Sequence, residues 1–262
     1  MITNAHIKLL QSLKKKKNKI NENKFLIEGE KIILDAINNN IEINEILISS
    51  KYENSKNSIE ILSKISDRNI HINKVSKEII NKITELETSP GIIAVAKIPI
   101  NLKPKKEITI RNNVIILDKI SDPGNLGTII RTAAWFNIKN IILSKNTVSP
   151  LNPKVIRSSM GSNFYINIHV IENLNDTIKQ LIEKKFFIVG TSVENKTNFN
   201  KKNFNKNQWA IIFGNESEGI NKSIKSKIKN YYSIPKLGAT ESLNVAIACG
   251  ITLFDLTVIN NE

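Results

Sequence analysis

Three short stretches of this chain concentrate side chains able to donate, accept and carry charge: residues 122–131 (DPGNLGTIIR), 214–219 (GNESEG) and 234–244 (IPKLGATESLN). Each alone reads as a turn. Brought to one edge, they place an acid (Glu218), an arginine (Arg131), two asparagines (Asn125, Asn244) and a serine (Ser242) together. Such a set can orient a nucleophile and hold a small ligand with an anionic or carbonyl group at a helix N-terminus. Other chemistries are disfavoured. Gly124 and Gly127 lack the Lys-Ser/Thr of a phosphate loop, and no Gly-x-Gly-x-x-Gly follows a strand, so neither a nucleotide hydrolase nor a Rossmann dinucleotide site is expected. The three histidines are scattered and Cys249 is alone, which leaves no metal-ligand spacing and no disulfide within the chain.

The elements that must position these residues are legible as apolar runs. Residues 114–117, 141–143 and 210–213 are unbroken aliphatic or aromatic stretches, the pattern of strands buried on both faces of a parallel sheet. Helices are expected over residues 126–136, 153–160 and 174–185, with strands over 166–170 and 186–189. Asn125 is read as the cap of the first of these helices, whose core face carries Ile129, Ala133 and Phe136. The last helix, capped by Ser242, is apolar from Leu243 until Asp255 and is expected to be buried. Strand–helix alternation with ligand loops at strand C-termini gives an α/β fold with an open parallel sheet. Residues 195–208 read as an exposed polar loop.

The first 98 residues alternate in the same way on a smaller scale and form a second α/β domain. Residues 99–112 read as a linker, and the second domain runs over residues 113–262. The chain has 262 residues and a formal charge of +14, which points to a polyanionic partner, most simply RNA. Lysine is the default cation, so the four arginines stand out, Arg131 and Arg157 above all. Residues 1–24 carry seven lysines against Glu22, with Leu9, Leu10 and Leu13 on one helical stripe; a solvated helix and an RNA-backbone contact both fit. No run of about 18 apolar residues and no signal-peptide core occurs, so a soluble cytoplasmic protein is expected. Cys249 is read as core packing.

The motifs DPGNLGTIIRTA (residues 122–133), FGNESEG (213–219) and IP followed by SLNVA (234–235 and 242–246), with SSMG (158–161) between them, resemble the SpoU (TrmH) family of RNA ribose 2′-O-methyltransferases within the SPOUT superfamily. The segments FLIEGE (25–30) and TSPGIIAV (88–95) are similar to the L30e-like substrate-binding domain that often precedes that catalytic domain. The resemblance implies a deep trefoil knot in the C-terminal segment, S-adenosylmethionine as cofactor, and a homodimer formed through the knotted region. It implies that Thr191, Gly214, Ile234 and Leu243 hold the cofactor. Arg131 is then the central catalytic residue, with Asn125, Glu218, Ser242 and Asn244 positioning it and the substrate. A guanidinium hardly deprotonates in a protein, so a phosphate-clamping Arg131 is physically easier than a general base. The large folded substrate suggested by the extra domain is 23S rRNA; a tRNA substrate, or an RNA-binding protein without catalysis, remains open.

Overall fold

The computed structural model describes residues 2–55, 58–106, 108–194, 197–201, 204 and 208–258. The chain divides into two compact units. One comprises Met1–Ile100 together with Leu151–Phe164, the other Asn101–Pro150 together with Tyr165–Glu262.

The first unit contains α1 (Asn4–Ser12), α2 (Lys16–Glu22), β1 (Lys24–Glu28), α3 (Glu30–Asn38), β2 (Ile43–Ser49), α4 (Ser50–Glu53), α5 (Ser58–Asp67), β3 (His71–Val75), α6 (Lys77–Ile83) and β4 (Ile92–Lys97). Its sheet has the order β1-β4-β2-β3, antiparallel except for the β2–β3 pair. The basic N-terminal stretch is not a free arm. Leu10 and Leu13 are fully buried in a core with Leu26, Leu47, Ile80 and Val95. Lys19 is buried as well; its Nζ donates to the Leu151 carbonyl at 2.6 Å, and desolvation pulls its pKa down to about 8. Residues 151–164, read from sequence as part of the second domain, carry α8 (Pro153–Ser158), which packs on β1. A truncation at residue 100 would therefore strip α8 of the strand it rests on.

The second unit contains β5 (Val114–Leu117), α7 (Pro123–Trp135), β6 (Asn140–Ser144), β7 (Asn167–Ile171), α9 (Leu174–Glu183), β8 (Phe187–Thr191), β9 (Trp209–Phe213), α10 (Lys222–Lys225), β10 (Asn230–Tyr232) and α11 (Val245–Thr257). Six parallel strands follow the order β10-β8-β9-β5-β6-β7. The chain steps outward from β5 through β6 and β7, crosses to β8, then inserts β9 between β8 and β5. That reversal of direction beside β5 is where an open parallel sheet leaves a crevice at its strand C-termini. The loops after β5, β8, β9 and β10 all open there.

Four local expectations change. Residues 99–112 are not a bare linker: Ile110 is buried in the sheet's core, and the Lys105 amide donates to the Val170 carbonyl at 2.9 Å along the β7 edge. The 195–208 stretch is partly outside the described residues. Its described part is docked: Asn198 Oδ1 accepts from the Tyr231 amide at 2.8 Å, and buried Phe204 stacks on Trp209 with centroids 5.1 Å apart. The α7 helix starts at Pro123, capped by Asp122 rather than Asn125, because the Asp122 carboxylate accepts from the Asn125 amide at 2.7 Å. Finally, α11 is only half buried. Val245, Cys249, Leu253 and Leu256 face inward, whereas Ile247 (53%), Ile251 (40%) and Phe254 (50%) form an exposed apolar stripe at helical spacing.

Candidate active site

The site is built on α11. Its cap is Asn244, not Ser242: Asn244 Oδ1 accepts from the amides of Ala246 (2.9 Å) and Ile247 (3.2 Å). Two backbone donors therefore fix which end of the Asn244 amide faces the helix. Its Nδ2 must point away, and it donates to Asn125 Oδ1 at 2.9 Å. Asn125 Oδ1 is thereby committed as acceptor, so its own Nδ2 donates onward, to Glu216 Oε1 at 2.7 Å. The direction of this relay is forced from end to end, and the final acceptor is a carboxylate, the stronger kind of partner. Three segments far apart in sequence are tied by two side-chain hydrogen bonds.

The acid in that relay is Glu216, whereas the sequence pointed to Glu218. The cause is the 214–219 turn. Asn215 and Gly219 exchange backbone hydrogen bonds (3.1 and 2.8 Å), and Asn215 Oδ1 accepts from the amides of Ser217 and Glu218. The turn sends Glu216 toward α7 and Glu218 the other way, to Lys119 Nζ at 2.9 Å. Lys119 hydrogen-bonds and attracts the Glu218 carboxylate, holding it below the usual carboxylate range. Both groups are solvent-exposed, so this pair contributes little to stability. The turn is closed so tightly that a Cβ on Gly214 would lie 2.2 Å from the Gly219 carbonyl carbon. Only glycine fits there.

Beside this turn lies a cavity of about 400 Å³. Thr191, Gly214, Ile234 and Leu243 all line it, as do Glu218 and Ser242. Thr191 Oγ1 is held by donating to the Ile212 carbonyl at 3.0 Å. The lining carries four glutamates (194, 216, 218 and 241) and two lysines (225 and 236), a formal balance of −2 inside a chain of +14. Such a lining favours a cationic ligand, and the volume suits a nucleoside-sized one. Behind it, the Tyr232 hydroxyl donates to Asp255 Oδ2 at 2.6 Å, and Lys201 pairs with the same carboxylate. Burial and that hydrogen bond push the Tyr232 hydroxyl above its ordinary range. Burial alone would raise Asp255, but the bonds from Lys201 and Tyr232 outweigh it and leave the carboxyl low.

Arg131 does not line the cavity. It shares the exposed face of α7 with Thr128 and Trp135, a tryptophan 86% exposed. Of the catalytic set expected from sequence, Asn125 and Asn244 meet directly, Glu218 and Ser242 border the cavity, and Arg131 stands apart. Glu216 was missed; GNESEG offers two glutamates two residues apart, and only the folded turn separates them.

Residues 112–254 match the model of the SpoU rRNA methylase family. This chain belongs to the SpoU rRNA methylase family. In this methylase, residues 4–94 also match an MRM3-like substrate binding domain. It is 30% identical over 97% of its length to the 23S rRNA (guanosine(2553)-2′-O)-methyltransferase RlmP of Bacillus subtilis, covering 96% of that protein. A putative TrmH family tRNA/rRNA methyltransferase of Staphylococcus saprophyticus is 29% identical over 88% of the chain and 94% of the relative. Among solved structures, an S-adenosylmethionine-bound rRNA methyltransferase from Sinorhizobium meliloti superposes with a TM-score of 0.79 at 25% identity, over 98% of this chain and 95% of that one. A putative RNA methyltransferase of the TrmH family from Porphyromonas gingivalis shares the fold at a TM-score of 0.82 and 24% identity, over 98% of both chains.

Proposed function

We propose that this methylase transfers a methyl group from S-adenosylmethionine to a ribose 2′-hydroxyl of structured RNA, with 23S rRNA as the substrate. The observation that carries the reading is the acid-lined cavity bordered by the second and third motif segments, with Glu216 of its lining held by the Asn244–Asn125–Glu216 relay. When bound there, S-adenosylmethionine supplies an electrophilic, positively charged methyl donor. Thr191, Gly214, Ile234 and Leu243 hold it, largely through backbone groups. The surrounding carboxylates suit its cationic centre and suit a neutral product less well, which helps exchange after each turnover.

A ribose hydroxyl is a poor nucleophile, so alignment and charge placement do most of the work. Arg131 clamps a phosphate beside the target ribose. Asn125 and Asn244 orient the nucleotide, and Glu216 takes the anchoring role that the sequence suggested for Glu218. Ser242 and Glu218 border the substrate side of the cavity. The protein works as a homodimer, a reading supported by the position of Arg131 outside the cavity of its own chain. The apolar stripe of α11, together with exposed Trp135 on α7, is the contact face. The segment from β10 through α11 forms the trefoil knot. Among the described residues no helix is long and apolar enough to cross a membrane, in keeping with action in the cytoplasm.

The test is Arg131→Ala, assayed by transfer of labelled methyl from S-adenosylmethionine to 23S rRNA and by calorimetric titration of the cofactor. Cofactor heat should persist while transfer falls about 100-fold or more, the scale of losing one preorganised charge-stabilising donor. A variant that methylates RNA at the wild-type rate would sink the assignment.

A further inference from the structure

The N-terminal unit holds a cavity of its own that methyl transfer does not use. It encloses about 580 Å³ at the C-terminal ends of the parallel strands β2 and β3, under the loop of residues 87–91. Its inner wall is tied by hydrogen bonds. The Ser49 amide donates to the Gly91 carbonyl at 2.9 Å, and the Tyr52 hydroxyl donates to Glu30 Oε2 at 2.9 Å. Gly91 has φ +78°, and a Cβ there would lie 2.9 Å from Ser49 Oγ, so the loop can sit this close only as glycine. Fully buried Ile80 and half-buried Pro90 supply apolar surface.

The rim differs from the rest of this basic chain. Two glutamates (30 and 87) oppose two lysines (51 and 77), a formal balance of zero. Lys51, Asn81, Glu87 and Thr88 are exposed, and no side-chain hydrogen bond or ion pair ties them to the other described residues. A neutral cleft whose exposed donors and acceptors can exchange water for a ligand, above an apolar wall, is poorly suited to a bare phosphate. It suits a flat, uncharged heterocycle whose edge both donates and accepts.

We propose that this cleft receives one unstacked base of the RNA substrate. The proposal rests on the reading of the protein as an RNA methylase. Specific RNA recognition works mainly on bases splayed out of single-stranded segments, hydrogen-bonded along their edges, while phosphate contacts only position the strand. Asn81 and Thr88 read the base edge, and Lys51 and Lys77 at the rim meet the flanking phosphates.

The experiment uses the full-length protein and the double variant Asn81→Ala/Thr88→Ala, which removes two exposed groups that hold nothing else in place. The probes are a ten-nucleotide single-stranded RNA of mixed sequence, the same RNA as a duplex, and inorganic polyphosphate. The single strand should protect backbone amides of residues 49–55 and 87–91 from hydrogen exchange more strongly than duplex or polyphosphate does. The variant should bind the single strand about 10-fold more weakly, the scale of one or two hydrogen bonds, with unchanged affinity for polyphosphate and unchanged cofactor heat. Equal single-strand affinity in the variant, or equal protection by polyphosphate, overturns the proposal. Methyl transfer is measured in parallel on the wild-type protein. If transfer proceeds without protection of these loops, only the cleft is refuted; if no transfer occurs, the enzymatic reading fails instead.

Discussion

Asn244 does two jobs with one amide, and two substitutions separate them. Asn244→Ala removes the cap of α11, worth about 1 kcal/mol, and the hydrogen bond to Asn125, worth about 1 kcal/mol more. The sum of about 2 kcal/mol corresponds to a melting-temperature drop of roughly 4–8 °C in a domain of this size. Asn244→Asp keeps the acceptor that caps the helix, and its charge is favourable at a helix N-terminus. What it loses is the donor. The Asp carboxylate would face Asn125 Oδ1, and Asn125 cannot invert its amide without turning its oxygen on Glu216. Asn244→Asp therefore keeps the cap but loses the hydrogen bond to Asn125, about 1 kcal/mol, and should melt roughly 2–4 °C below wild type and above Asn244→Ala, yet lose methyl transfer about as severely as Asn244→Ala. Thermal unfolding followed by circular dichroism gives the first quantity and labelled methyl transfer to RNA the second. A fully active Asn244→Asp enzyme would show that the directed relay is irrelevant to the chemistry. An unchanged melting temperature in Asn244→Ala would show that the cap is not worth what its geometry indicates.

Three further outcomes are expected. Gly214→Ala forces a methyl group into the Gly219 backbone, so calorimetry should find no cofactor binding even where circular dichroism shows a folded chain; retained binding would mean that the 214–219 turn is free to open. His169 is held down to about 4, mainly by burial and secondarily by Lys105, and among the described residues neither of its ring nitrogens has a hydrogen-bond partner. The native state thus binds fewer protons there than the unfolded chain, and the stabilisation present above pH 6.5 should be lost as pH falls toward 4. His169→Gln should flatten the dependence of melting temperature on pH in that window, and an unaltered profile would rule out His169 as its source. Phe254→Lys places a charge on the exposed stripe of α11 and should convert the proposed homodimer to a monomer in analytical ultracentrifugation; a dimer that survives must use another face.

The chemistry-bearing segments were readable from residue order because their constraints are local. Gly214 and Gly219 belong to a turn that only glycine can close, and Asn125 and Asn244 each sit at the first turn of a helix. The unbroken apolar runs of β5, β6 and β9 could only be strands buried on both faces, which in turn implied the parallel sheet. Capping was less secure. Asp122 and Asn125, or Ser242 and Asn244, are equally good cap residues, and the choice depends on where the chain turns rather than on side-chain type. The linker and the polar loop were misjudged for a related reason: the few apolar residues of each, such as Ile108 and Ile110 or Phe199 and Phe204, are spaced among polar ones too sparsely to show a helix or strand pattern.

By itself, the sequence determined which residues lie at strand ends and helix starts, since glycine geometry, apolar periodicity and charge act over a few positions. Only the tertiary structure decided that Glu216 rather than Glu218 meets Asn125, that Arg131 lies outside the cavity, and that α11 leaves one apolar side uncovered. Those outcomes depend on how segments about a hundred residues apart are brought together, and no interaction within any one segment specifies that.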